Sequence, residues 1–207
     1  NAPWTLDAEI LRQALHLRSV RLVNDLAALA WAVPHFGADD VVAVGEGSAV
    51  MGEPVLVIAP GTGLGLSCHL PGMAPRAVAS EAGHATLAAS DAGDVAILEM
   101  LRRRFAHVSA ERVLSGAGLV NLHAVLAAQD GQAPGTPTPE EIVRGALYGT
   151  NPRHAAALEL FCGFLGSFAG DMALAFAARG GVLIGGGIAP HIVPVLRESS
   201  FRTRFAA

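Results

Sequence analysis

The chain has 207 residues, of which 52% are apolar and 15% charged, so its composition predicts a globular fold with a sizeable buried core. The net charge of −4 gives no electrostatic basis for binding nucleic acid, and all 14 basic residues are arginine, which excludes lysine-dependent P-loop ATPases, protein kinases and Schiff-base enzymes. Two distant cysteines without C-x-x-C spacing argue against a zinc site, and no apolar run approaches the roughly 20 residues of a membrane span.

The first half of the chain is predicted to contain most of the strands. Residues 5–17 carry apolar residues at helical spacing, with acidic residues in the first turn, and predict a helix. A short strand is predicted at residues 19–23, and a helix capped by the pair Asn24-Asp25 follows it as far as Pro34. Apolar runs predict further strands at residues 41–44, 54–59, 66–70 and 76–80.

Helices dominate the second half. They are predicted at residues 94–105, 109–116, 119–128, 155–178 and 191–197, with one core strand at residues 181–184. The stretch TPEE predicts a further helix start, with Thr138 as N-cap, Pro139 as first helical residue and Glu141 as capping-box partner. Strands and helices without an internal repeat predict the α/β class.

The stretch VIAPGTGLGLS places three glycines on alternate positions, Gly61, Gly63 and Gly65, between two predicted strands. A glycine-rich hairpin tip can be simple turn geometry, or its N–H groups can converge on an anion such as phosphate. The dinucleotide fingerprint G-x-G-x-x-G is not matched, because the third glycine comes one residue early and a strand follows instead of a helix. Dinucleotide binding remains an alternative at this point.

A second glycine loop, Gly185-Gly186-Gly187, joins the strand at residues 181–184 to the last predicted helix. On its own it could be a tightly packed helix entry. Two such loops in this order resemble those of actin-like and hexokinase-like ATPases, which hold ATP phosphates with glycine-rich hairpins and the nucleoside with a later G-G-G. The pair favours a nucleotide site.

Five segments together resemble the bacterial glucokinase family of the hexokinase and actin-like ATPase superfamily: RLVNDLAALA, VIAPGTGLGLS, SEAGHA, HVSAERVLSGAGLVNL and GVLIGGGIAP. The resemblance runs from about Leu15 to the end of the chain, and HVSAERVLSG is its most specific part. It implies an α/β, actin-like ATPase (ribonuclease H-like) fold. Residues 1–35 would be a remnant of the small domain, with the catalytic aspartate at the hinge, and residues 36–207 the large domain.

The resemblance also implies roles for single residues. Asp25 would be the general base, and hydroxyls of the sugar would be bound by Asn24, Asp25, Glu81, His84 and Glu111. The family motif usually has E-G-G-H where this chain has Ala82 in the second position. Phosphates and nucleoside would be bound by Gly61, Thr62, Gly63, Leu64, Gly65, Gly185, Gly186 and Gly187. No residue of the chain is predicted as a metal ligand, and His107 is predicted to be structural.

These residue types suit sugar recognition, because carboxylates and amides can hold hydroxyls that both donate and accept. The implied function is ATP-dependent phosphorylation of D-glucose at its 6-hydroxyl, with Mg²⁺ bridging the phosphates. A kinase for another hexose or an N-acyl amino sugar is one alternative, and a non-catalytic sugar-binding module is another. The expected partners are glucose and ATP in the cytoplasm, with a homodimer as the usual assembly of similar proteins and neither nucleic acid nor membrane.

The family's D-x-G-x-T loop, which binds Mg²⁺ and phosphate, is not found in these residues. We therefore expect an internal fragment that also lacks the family's C-terminal helix, and little kinase activity from these 207 residues alone. The predicted strand at residues 19–23 would then have an unpaired edge and an exposed apolar face.

Overall fold

A four-stranded mixed sheet forms the centre of the computed structural model, which describes residues 5–207. The strands are β1 (Val55–Pro60), β2 (Leu64–Leu70), β3 (Arg76–Ser80) and β4 (Gly181–Ile184), and they lie in the order β3-β2-β1-β4. The first three form antiparallel hairpins, whereas β4 pairs with β1 in parallel. A mixed sheet covered by helices confirms the predicted α/β class.

Residues 5–207 also contain eight α-helices: α1 (Ala8–Ala14), α2 (Asp25–Ala32), α3 (Ala92–Arg102), α4 (Gly116–Gln129), α5 (Pro139–Leu147), α6 (Pro152–Ala175), α7 (Ala189–Glu198) and α8 (Phe201–Phe205). Single 3-10 turns occur at Val33–His35, Ala82–His84 and Ala110–Arg112. The central helix α6 buries Phe161 and Phe164 completely. Its length and composition would suffice to cross a membrane, but 56% of its most apolar window is buried inside the fold, as is common for core helices.

Two of the predicted strands are wrong. Residues 19–23 and 41–44 have no regular secondary structure and join no strand ladder among the described residues, and several of their apolar side chains, including Leu22 and Val42, are about half exposed. The second segment is held instead by Arg197, whose guanidinium donates twice to the carbonyl of Ala43, at 3.0 and 2.7 Å. A β-branched apolar run favours an extended backbone, but a strand also requires a neighbour with free backbone groups.

Several helix ends also differ from the predicted ones. Helix α1 is shorter than expected because Asp7 caps it, accepting from the N–H groups of Glu9 and Ile10, and because His16 adopts a left-handed φ of 51°. The helix predicted from residue 109 is the single 3-10 turn Ala110–Arg112, and a new helix, α4, begins at Gly116 with Ser115 as its N-cap.

The capping box at the start of α5 is confirmed. The N–H of Glu141 donates to Thr138 Oγ1 at 3.2 Å, and the N–H of Thr138 donates to Glu141 Oε2 at 2.9 Å. Replacing Thr138 by alanine is expected to lower the free energy of unfolding by about 1 kcal/mol, because a backbone donor of the first turn loses its acceptor. Urea denaturation measures this. The control is Thr136→Ala, an exposed threonine that also precedes a proline, which should leave the midpoint unchanged.

Two histidines meet inside the helical layer, where α4 packs on α6. His123 is only 4% exposed, and its ring packs edge-on against that of His154, with the centroids 5.2 Å apart. The Nδ1 atoms of both rings are buried and have no hydrogen-bond partner within residues 5–207. Burial lowers the pKa of His123, and the nearby His154 and Arg153 lower it further.

This lowered pKa predicts acid sensitivity of the fold. The unfolded chain takes up a proton at His123 near the ordinary pKa of 6.5, whereas the folded chain resists it. Above pH 6.5 His123 is neutral in both states and does not reduce the stability of the fold. As the pH falls through 6.5 towards the folded pKa, protonation of the unfolded chain lowers the free energy of unfolding. We expect the denaturation midpoint to fall less between pH 7.5 and 5.5 in His123→Phe than in the wild type. The exposed-histidine variant His191→Asn should keep the wild-type pH dependence; equal dependence in all three proteins would contradict the prediction.

Candidate functional site

The two glycine loops lie side by side at the carboxyl ends of β1 and β4. The tip between β1 and β2 is a tight hairpin, as predicted, in which the N–H of Gly61 donates to the carbonyl of Gly63 at 2.8 Å. Gly186 has a φ of +77° and lies so close to the hairpin that a Cβ there would be 2.5 Å from the carbonyl oxygen of Pro60. Only glycine meets both requirements. The backbone of the second loop therefore borders the hairpin tip.

Glu111 reaches the same hairpin from the 3-10 turn Ala110–Arg112. Its Oε2 accepts the N–H of Leu64 at 3.0 Å. Strand β3 pairs with β2 only from Leu66 onward, so the edge of β2 at Leu64 is open to a side chain. Five residues after Glu111, the N–H of Gly116 donates to the carbonyl of Gly61 at 2.8 Å. The start of α4 is thereby fixed to the hairpin tip.

The E-A-G-H turn follows β3 and packs against Leu64 from another side. Gly83 approaches the carbonyl oxygen of Leu64 so closely that no Cβ could be accommodated there. A bridge between Thr86 and Ser109 joins this turn to the turn that carries Glu111. The side chains at its two ends, Glu81 and His84, are exposed, and Glu81 Oε2 lies 3.8 Å from His84 Nε2.

Asn24 and Asp25 begin helix α2, which packs on β2 through Leu26 against Gly65 and through Trp31 against His69. Asn24 is the N-cap and accepts the N–H of Ala27 at 3.1 Å, the structural role that such a pair often has at a helix start. Asp25 Oδ1 accepts the N–H of Leu26 at 2.9 Å, and the rest of this exposed carboxylate faces solvent. The side chain of Leu26 covers Gly65, where a Cβ would lie only 2.6 Å away.

The dipeptide Leu64-Gly65 is thus where the predicted site segments meet. The N–H of Leu64 donates to Glu111, and the carbonyl of Leu64 faces the turn between Glu81 and His84. Gly65 is covered by Leu26, the residue after Asp25. All predicted segments therefore border one region of the surface. The sugar and phosphate contacts of the individual residues remain predictions.

The backbone N–H of Leu64 donates to Glu111 Oε2, a contact that the sequence analysis did not predict. The phosphate contact of Leu64 stays a prediction. Sequence reasoning also missed that Gly65 and Gly83 are needed for packing, against Leu26 and Leu64 respectively. No local signal could reveal the bond between Glu111 and Leu64, which lie 47 positions apart. His107 contacts Thr86 Oγ1 at 2.9 Å beside this region, as expected of a structural histidine.

Neither cysteine thiol is activated. Burial raises the pKa of Cys68, and it raises the pKa of Cys162 to about 12, so both thiols stay protonated near neutral pH. Across residues 5–207, no group of three histidine, cysteine or acidic side chains is placed to hold a metal ion. Magnesium commonly binds through substrate phosphates together with one or two carboxylates.

Comparison with known proteins identifies the family of the chain. The sequence model of the glucokinase family matches residues 1–207. The glucokinase of Paramagnetospirillum magneticum is 44% identical over 209 residues, covering 100% of this chain and 65% of the relative. The crystal structure of a glucokinase from an Antarctic psychrotroph superposes with a TM-score of 0.89 and 37% identity, over 96% of this chain and 62% of that one.

A more distant structure shares the fold alone. It is a ROK family glucokinase from Streptomyces griseus in complex with glucose and AMPPNP, with a TM-score of 0.63 and 22% identity. These likenesses confirm the predicted actin-like ATPase fold. The chain spans 65% and 62% of the lengths of the bacterial relative and the psychrotroph enzyme, less than two thirds of each. A family match over every residue, together with this fold, shows that the chain belongs to the glucokinase family.

Proposed function

We propose that the full-length gene product carrying this chain transfers the γ-phosphoryl group of ATP to the 6-hydroxyl of D-glucose. The observation that carries the proposal is the meeting of the segments of Asp25, Glu81, His84 and Glu111 at Leu64-Gly65, directly beside the two glycine loops. A sugar kinase requires this adjacency, because the acceptor hydroxyl and the phosphate must come within contact distance.

Asp25 is the proposed general base. It accepts the proton of the 6-hydroxyl as that oxygen attacks the γ-phosphorus, and the bond from phosphorus to the bridging oxygen breaks to release ADP. The sugar would be oriented by the amide of Asn24 and by the side chains of Glu81, His84 and Glu111. These groups match hydroxyls that both donate and accept, and a site that binds each hydroxyl discriminates strongly against analogues that lack one.

The two glycine loops would bind the nucleotide. The backbone N–H groups of Thr62 and Gly63, with the Thr62 hydroxyl, would face phosphate oxygens, while Gly185, Gly186 and Gly187 would border the nucleoside. Mg²⁺ would be held by the phosphates themselves and would neutralise charge there. The relation to a structure that contains glucose and AMPPNP supports this assignment at the level of the fold.

The remaining parts of the proposal follow the family. They comprise a division at about residue 35 between a small-domain remnant and the large domain, a cytoplasmic location, and a homodimer. A kinase for another hexose or an N-acyl amino sugar is the nearest alternative, because it would use the same arrangement with a different pocket beside Glu81 and His84.

A coupled assay tests the proposal. The full-length gene product is given ATP with glucose, mannose, fructose or N-acetylglucosamine, and ADP formation is followed. We expect the highest kcat/KM with glucose. A higher value with another sugar would favour the alternative kinase, and glucose binding in calorimetry without turnover would instead indicate a sugar-binding module.

A further inference from the structure

We propose that Glu111 is a positioning residue that braces the phosphate hairpin with one carboxylate oxygen and binds the sugar with the other, so that the two substrates bind cooperatively. Gly63 would then be a glycine in order to leave room for this carboxylate. The inference rests on the proposed function for its sugar half, whereas the bracing of the hairpin stands on contacts within the chain.

The brace holds both strands of the hairpin. On the β2 side, Glu111 Oε2 accepts the N–H of Leu64 at 3.0 Å. On the β1 side, the N–H of Gly116 donates to the carbonyl of Gly61 at 2.8 Å. One short segment, residues 111–116, therefore fixes the hairpin at both ends of its three-residue tip.

This segment is itself held firmly. Ser115, which is 2% exposed, donates from Oγ to the carbonyl of Glu111 at 2.8 Å, and Asn121 Nδ2 donates to the carbonyl of Arg112 at 2.9 Å. Glu111 therefore cannot follow a displaced hairpin by shifting its backbone. A change that pushes its carboxylate aside should break the bond to Leu64 and move the oxygen that would bind the sugar.

Two glycines of the hairpin tip respond differently to an added methyl group. A Cβ at Gly63 would lie 2.5 Å from Glu111 Oε2, whereas a Cβ at Gly61 would meet nothing closer than 3.8 Å. Neither glycine has a φ in the left-handed range, so φ does not exclude alanine at either position. Gly63→Ala thus displaces the Glu111 carboxylate, and Gly61→Ala is a matched control for losing a glycine from the same turn.

The bracing of the hairpin by Glu111 is tested without any substrate, by NMR hydrogen exchange at the Leu64 amide of the full-length gene product. We expect slow exchange in the wild type, in Gly61→Ala and in Glu111→Gln, which keeps an acceptor oxygen. Exchange should be at least about tenfold faster in Gly63→Ala and in Glu111→Ala, where a bond to a charged acceptor is lost. Equal exchange in Gly61→Ala and Gly63→Ala would overturn the bracing.

The cooperative binding of the two substrates through Glu111 is tested by calorimetry in a double-mutant cycle. Gly63→Ala should weaken glucose binding about tenfold, as expected for a displaced charged partner. In the Glu111→Ala background, Gly63→Ala should add no further loss, because the two changes act through one carboxylate. In the wild type, saturating glucose should tighten AMPPNP binding by about fivefold or more, and Gly63→Ala should abolish this gain.

Additive losses of glucose affinity in the double-mutant cycle would overturn the coupling. So would a Gly63→Ala variant in which glucose still tightens AMPPNP binding as much as in the wild type. These failures are distinct from failure of the proposed function, which would appear as a wild-type protein that does not phosphorylate glucose while its Leu64 amide exchanges as expected.

Discussion

Replacing Asp25 by asparagine in the full-length gene product is expected to lower kcat for glucose phosphorylation by about 10²- to 10⁴-fold, the usual contribution of a general base. Asparagine has nearly the same shape and can still accept the N–H of Leu26 and a hydrogen bond from the sugar. It cannot accept the proton of the 6-hydroxyl during attack. Glucose affinity measured by calorimetry should therefore stay close to the wild-type value while turnover is lost.

The fold should tolerate this substitution. Asp25 is exposed at the first position of α2, whose N-cap, Asn24, is unchanged, so only a favourable charge near the helix N-terminus is lost, at a cost of about 0.3–1 kcal/mol. The control is Asp7→Asn, another aspartate at a helix start whose oxygen accepts backbone N–H groups, which should keep full turnover. Turnover of Asp25→Asn within about tenfold of the wild type would exclude Asp25 as the base.

Local patterns in the sequence predicted local structure well. The hairpin around Gly61 and Gly63 and the capping box at Thr138 depend on residues within a few positions of one another, and both are confirmed. The predicted strands at residues 19–23 and 41–44 failed because strand formation depends on a partner, which a local apolar pattern does not supply.

The candidate site likewise combines features that depend on local sequence with contacts between distant residues. Its residues could be named from short motifs, but the contacts that assemble it connect distant positions. The bond from Leu64 to Glu111 exists because β3 stops pairing with β2 at Leu66, and no pattern near Glu111 encodes where a distant strand ends. Gly65 and Gly83 look like turn residues in the sequence, whereas their main constraint is the close approach of Leu26 and of Leu64.

The largest stability effect is expected at Asp94, on α3, and its distant partner Arg204, on α8. The carboxylate of Asp94 is 2% exposed and binds the guanidinium of Arg204 through both oxygens, and it also accepts the N–H of Ser90 at 2.9 Å. Arg204 is fixed further by Ser167 Oγ, which accepts from its Nε at 3.0 Å, and by the ring of Phe164 beneath it. The pair joins α3, α6 and α8.

Asp94→Ala is therefore expected to lower the free energy of unfolding by about 3–5 kcal/mol, because it leaves a largely buried guanidinium without its counter-charge. Urea denaturation of the wild type, Asp94→Ala and the neighbouring N-cap variant Asp91→Asn measures this. The control should match the wild type, since asparagine caps a helix as well as aspartate does. The double variant Asp94→Leu/Arg204→Met should recover much of the loss, because it removes both charges and keeps apolar volume. A midpoint for Asp94→Ala equal to that of Asp91→Asn would mean that water, and not the ion pair, satisfies Arg204 where α8 meets α6.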